Sequence, residues 1–151
     1  MKNKKAWVIT GVVVVILLLL VWPKIFNKNP EISISVPCLN GNSPLLQHIH
    51  PNLKIMVAGE EEIIPSDIGL PGGVGATNCE HALHTHDASG QIHVEAQDTS
   101  DYHLSQFFEV WGKAIARPGY SLTMTVDGKP GTELGNLVLK DGQQIVLTYT
   151  K

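Results

Sequence analysis

Cys79-Glu80-His81-Ala82-Leu83-His84-Thr85-His86-Asp87-Ala88-Ser89-Gly90-Gln91-Ile92-His93-Val94-Glu95 holds four of the chain's seven histidines. Leu83–His86 and Gln91–Glu95 each alternate apolar with polar, the period of a half-buried strand. Asp87-Ala88-Ser89-Gly90 between them has turn chemistry. Closing the hairpin there sets His86 opposite Gln91, Thr85 opposite Ile92, His84 opposite His93 and Leu83 opposite Val94. Strand side chains alternate faces, so Leu83, Thr85, Ile92 and Val94 share the core face. His84, His86, His93 and Glu95 share the other, which the sequence leaves open to solvent.

Working outward, Gln47–Val57 repeats the pattern. Ile49, Leu53, Ile55 and Val57 have one parity, and His48, His50, Lys54 and Met56 the other. Pro51 stands inside this run and loosens the register of His48 and His50. Ala58-Gly59-Glu60-Glu61 reads as a turn and Glu62–Ile64 as a return strand. Glu31–Val36 alternates and reads as a first edge strand. Pro65–Asn78 is rich in Gly and Pro and reads as a long irregular loop.

Leu104, Phe107, Phe108, Trp111 and Ile115 fall at i, i+3, i+4, i+7 and i+11, an amphipathic helix ending near Gly112–Gly119. Its aromatic stripe reads as core rather than as a ligand box. Tyr120–Val126 alternates, Asp127–Gly131 turns, and Leu137–Leu139 and Ile145–Tyr149 read as strands joined around Asp141-Gly142. Strands, one helix, then strands make an α+β domain. The order β-β-α-β-β predicts a β-grasp (ubiquitin-like) sheet; a small β-barrel or sandwich with one helix is the alternative.

The N-terminal segment differs from all of this. Residues 1–29 hold five Lys and no acid; residues 30–151 hold six Lys/Arg against all fourteen acids, a charge of +5 followed by −8 within the chain's net −3. Ala6–Trp22 is an uncharged apolar run flanked by Trp7 and Trp22 and closed by Pro23. That is the short end of a membrane-spanning helix, and the basic residues before it orient the N-terminus inward. The small-x-small pattern of a cleaved signal peptide does not follow the run. The chain divides into a cytoplasmic basic segment (1–5), a single-pass anchor (6–23), a linker (24–30) and an extracytoplasmic domain (31–151). An acidic domain with no basic stripe argues against nucleic-acid binding.

Neutral imidazole is the commonest metal ligand, and His-x-His on a strand puts two donors on one side. His48, His50, His84, His86 and His93 are therefore candidate ligands for Cu or Zn, with Cys79, Asp87 and Glu95 as further candidates. The competing reading is a structural histidine network. His81 and His103 read as surface or capping residues. Cys38 and Cys79 form a disulfide in an oxidising compartment, or Cys79 is a thiolate ligand.

His84-Thr85-His86-Asp87 resembles the His-x-His opening of metal-dependent phosphoesterases and amidohydrolases, whose barrels are too long for this chain. A wider resemblance covers most of the domain. His48-Ile49-His50, Ile64-Pro65, Ile68-Gly69, Cys79, Leu83-His84-Thr85-His86-Asp87, Gly90, Ile92-His93-Val94-Glu95 and Leu104-Ser105-Gln106-Phe107-Phe108 with Trp111-Gly112 are similar to motifs of small membrane-anchored or exported prokaryotic proteins. No activity comes with that family. The resemblance implies that the five candidate histidines and Cys79 belong to one constellation. Three functions follow as expectations: a membrane-tethered metal-binding domain, a zinc-dependent hydrolase with Glu95 or Asp87 as base, or an interaction domain engaging an envelope partner.

Overall fold

The computed structural model describes residues 35–75 and 78–151. The expected anchor at 6–23 and most of the expected strand at 31–36 lie outside them. Of that strand, Ser35 and Val36 form a bend rather than extended sheet. Among the described residues, no helix is long and apolar enough to cross a membrane.

Pro51 decides the architecture. The run 47–57 is not one strand but two, β1 (Gln47–Ile49) and β2 (Asn52–Val57), because proline cannot donate to a ladder. The chain changes sheets there. β2 forms a tight hairpin with β3 (Glu60–Glu62), turning on Ala58 (φ 52°) and Gly59 (φ 92°). The turn is thus two residues long, and the return strand starts at Glu60 instead of Glu62. β4 (Leu83–His84) and β5 (His93–Ala96) form the predicted hairpin, with Leu83 opposite Val94 and His84 opposite His93 as expected. Both strands are shorter than expected, since the chain leaves the ladder at Thr85.

One helix follows, α1 (Leu104–Trp111), ended by Gly112 in the left-handed conformation at φ 73°. Its first turn is fixed by the Gln106 side chain, which accepts the His103 N–H at 2.8 Å. β6 (Ser121–Val126) and β7 (Lys129–Gly131) turn on Asp127 and Gly128, so Lys129-Pro130-Gly131 is strand rather than turn. Pro130 is tolerated because β7 is an edge. Leu137–Leu139 is not the expected strand. Leu139 N–H bonds the Tyr102 carbonyl, and Leu104 N–H the Leu137 carbonyl, tying this segment to the helix entry. The last strand, β8 (Gln144–Thr150), therefore pairs elsewhere.

Two sheets result. The five-stranded one has the order β3-β2-β8-β6-β7, with β2 and β8 parallel at its centre. Register puts Leu53 beside Ile145 and Ile55 beside Leu147, and these four with Met124 and Tyr149 build one buried face. The three-stranded sheet has the order β1-β5-β4, with Leu83, Val94 and Ala96 buried. Both contribute to one core with Leu104, Phe107, Phe108, Val110 and Trp111 of α1, as the apolar stripe predicts. The described part from residue 35 onward belongs to one compact unit.

The β1–β5 ladder sets His48 opposite Glu95 and Ile49 opposite Val94. The same register runs on to Asn52 opposite Gln91, and Ile92 N–H bonds the Pro51 carbonyl at 2.8 Å. His50 therefore stands across from His93. Gly90 lets the hairpin loop close against β2: a Cβ there would lie 2.2 Å from the Leu53 carbonyl oxygen.

Candidate metal centre

β5 is the middle strand, and it carries His93 and Glu95 on one face. β1 brings His48 and His50 to one side of it and β4 brings His84, followed by His86, to the other. All five candidate histidines therefore meet on one face. Three short strands achieve this because each alternates with period two and the two registers agree.

The face is far less open than the sequence suggests. His84 is fully buried, and the side chains of His93 and Glu95 are only 16% and 17% exposed. His86 and His48 are exposed and form the rim. The loop 65–75 packs along β4: Thr85 Oγ1 donates to the Pro65 carbonyl and accepts the Ile68 N–H, and a Cβ at Gly69 would lie 3.4 Å from the His84 Cβ.

The donor atoms converge. His84 Nδ1–H donates to the His81 carbonyl at 2.9 Å, which leaves Nε2 as the ring's lone-pair nitrogen facing the site. That Nε2 is 3.2 Å from His86 Nε2, 3.7 Å from Glu80 Oε1 and 4.0 Å from Glu95 Oε1. Glu95 Oε1 is also 3.2 Å from His48 Nε2 and 3.4 Å from His93 Nδ1. His93 Nδ1 is sealed from solvent without a well-formed hydrogen bond. A buried imidazole nitrogen held that way is costly in a purely structural network.

Two groups of donors each lie within 4.8 Å of one another: His84, His86, His93 and Glu95, and separately His48, His50 and His93. A third such group is Cys38, Cys79 and His81. In it the cysteines form the disulfide expected from the sequence, with Cα atoms 5.8 Å apart. Cys79 is therefore not a thiolate ligand here. Asp87 stands outside all three groups. It is exposed and accepts the Ser89 N–H at 2.9 Å, closing the hairpin turn. Ser89 holds its carboxyl below the usual value by hydrogen bonding.

Sequence reasoning missed three residues. His81 is buried, not a surface residue, and its Nδ1–H donates to the Val36 carbonyl at 2.8 Å. Glu80 faces His84 from the approach to β4. Asp141, on the distant turn before β8, accepts the His50 N–H at 2.9 Å and lies 3.9 Å from His50 Nδ1. Glu80, next to Cys79, was visible as a nearby carboxylate, but nothing local marks Asp141.

Burial lowers the pKa of His84, against the pull of the His81 carbonyl and the neighbouring carboxylates. Burial lowers His93 as well, and the charges that His86, His84 and His50 would carry push the same way. Both rings are thus held neutral, the state a metal ligand needs. The sign for stability follows from linkage. An unfolded histidine takes its proton near pH 6.5, before these two do in the fold. Their contribution is full above about pH 6.5 and is lost as pH falls toward their depressed folded values. The metal-free chain should have a lower unfolding midpoint at pH 5.5 than at pH 7.5, measured by urea denaturation. A midpoint unchanged or raised at pH 5.5 would show that these rings are not buried neutral. The lowered carboxyls of Glu62 and Asp87 titrate below this window.

Beside His86 lies a surface cavity of about 500 Å³, walled by Glu80 and by Asp67 and Leu70–Gly73 of the packed loop. No family model, no characterised protein and no solved structure matches the chain.

Proposed function

We propose that the chain is a membrane-tethered, extracytoplasmic domain that binds a transition metal, Zn²⁺ or Cu²⁺, through His84, His86, His93 and Glu95. One observation carries this reading. Donors about 2.0–2.1 Å from a tetrahedral ion stand about 3.3 Å apart, and the Nε2 atoms of His84 and His86 stand 3.2 Å apart. Donor atoms of Glu95 and His93 lie within 4.8 Å of these and of each other. Three nitrogens and one oxygen suit zinc, and imidazole suits copper equally. The tether rests on the apolar run 6–22 and the basic residues before it. The disulfide favours an oxidising compartment. The strand order β3-β2-β8-β6-β7, with the helix between the two hairpins, supports the β-grasp reading of the five-stranded sheet, to which β1, β4 and β5 are an addition.

The test is metal binding by the purified full-length chain, with Zn²⁺ and Cu²⁺ titrated by calorimetry or competition. His86→Ala, an exposed ligand whose loss leaves the core intact, should weaken binding by more than the roughly 10–100-fold that loss of an outer partner costs. His103→Ala, at the entry of α1, should bind as wild type does. Equal, weak binding by all three proteins would leave a structural histidine network.

A zinc-dependent hydrolase is favoured by one feature, the cavity at His86. There an ion-bound water would meet Glu80 as base, rather than Glu95, which sits among the ligands, or Asp87, which is used in the turn. Ester hydrolysis by the zinc-loaded chain, lost in Glu80→Gln with zinc still bound, would move the assignment to this reading.

A further inference from the structure

The five histidines do not close on one point. The donor atoms of β4 and those of β1 fall into separate groups with one imidazole in common, His93. Geometry explains why. Neighbouring strands lie about 4.8 Å apart, so β1 and β4 are separated by about 10 Å across β5. Donors to one ion are at most about 4.2 Å apart, twice the metal–nitrogen distance. His93, on the middle strand, is the only imidazole within reach of both sides: its ring centre is 4.5 Å from His86 and 5.4 Å from His84 on one side, and 4.7 Å from His50 on the other. The rings of His48 and His50 are themselves 4.7 Å apart. Glu95 is shared in the same way, its Oε1 being 3.2 Å from His48 Nε2 and 4.0 Å from His84 Nε2.

Each side also has its own support. On the β4 side the His81 carbonyl fixes the tautomer of His84. On the β1 side Asp141 accepts the His50 backbone N–H at 2.9 Å, which leaves its Oδ1 3.9 Å from His50 Nδ1. A carboxylate or carbonyl behind a histidine is what orients a ligand. A spectator pair at the rim would not require a second anchor brought from a turn 91 residues away.

We infer that the face is a two-cation site: one divalent transition-metal ion on the β4 side with His84 and His86, and a second on the β1 side with His48 and His50. His93 and the Glu95 carboxylate lie between the two and supply the remaining donors. This rests on the metal-binding reading and adds a second ion to it.

Stoichiometry decides. The full-length chain is dialysed to equilibrium against excess Zn²⁺, and bound metal per chain is measured by elemental analysis, with circular dichroism to verify folding. Wild type should hold two zinc ions. The pair His48→Ala with His50→Ala, both outside the core, should hold one. His86→Ala should lose the other ion preferentially. One ion in wild type would overturn the second site while leaving the metal-binding reading intact. Two ions still present without His48 and His50 would overturn it as well. No bound zinc in any protein would reject both.

Discussion

Phe108→Ala should lower the stability of the domain by about 3–5 kcal/mol, the usual cost of truncating a fully packed aromatic. Phe108 is 1% exposed, and its ring meets Phe107 edge-on at 6.2 Å and Trp111 at 5.7 Å. Among the described residues, α1 is the one α-helix packed into the core that both sheets share. A domain of this size has about 5–15 kcal/mol in total, so the thermal midpoint should fall by roughly 10–20 °C. Thr123→Ala, on an exposed position of β6, should stay within about 0.5 kcal/mol of wild type. A Phe108→Ala loss below about 1 kcal/mol would mean that the helix stripe is not the core.

Because Phe108 lies on the apolar side of the sheets, its loss should leave the histidine face competent for metal at temperatures where the variant remains folded. The two sides of the domain are thus separable by experiment. Metal should raise the midpoint of Phe108→Ala as it raises that of wild type, since binding stabilises the folded state by mass action in both.

Periodicity made much of this legible. The hairpin register from Leu83 to Val94, the helix 104–111, and the shared face of His84, His86, His93 and Glu95 all follow from alternation and helical spacing. What escaped depends on contacts between distant segments. Pro51 was seen as an interruption, but a proline that ends one strand and starts another in a different sheet looks the same in sequence as one that merely bends a strand. Leu137–Leu139 has strand composition, yet its backbone is taken by Tyr102 and Leu104. The burial of His84 was hidden for a similar reason. Alternation says which face a residue takes and cannot say that the loop 65–75 will pack along the edge of β4. Gly73 carries part of that information: a Cβ there would stand 1.9 Å from the Asp67 carbonyl, so this Gly is required for the loop to fold back tightly.

A loss of similar size should come from the Cys38–Cys79 bond. It closes a loop of 41 residues, and the chain-entropy relation gives about 4 kcal/mol for a loop of that length. It also holds a local arrangement that leads to the site. Leu39 N–H bonds the Glu80 carbonyl, Ala82 N–H bonds the Pro37 carbonyl, and His81 Nδ1–H bonds the Val36 carbonyl, all within 3.0 Å. The carbonyl of that same His81 takes the Nδ1–H of His84 and aims its Nε2 at His86. The double variant Cys38→Ser with Cys79→Ser should therefore lose stability and metal affinity together, the second by roughly 10–100-fold as for other outer partners of a ligand. Denaturant unfolding and zinc titration of the double variant, at a temperature where it is still folded, read the two effects separately. The single variants give the sharper contrast. If the cysteines act only as a staple, Cys38→Ser and Cys79→Ser should bind metal equally well. Loss confined to Cys79→Ser would instead make that sulfur a ligand and require the bond to open when metal enters.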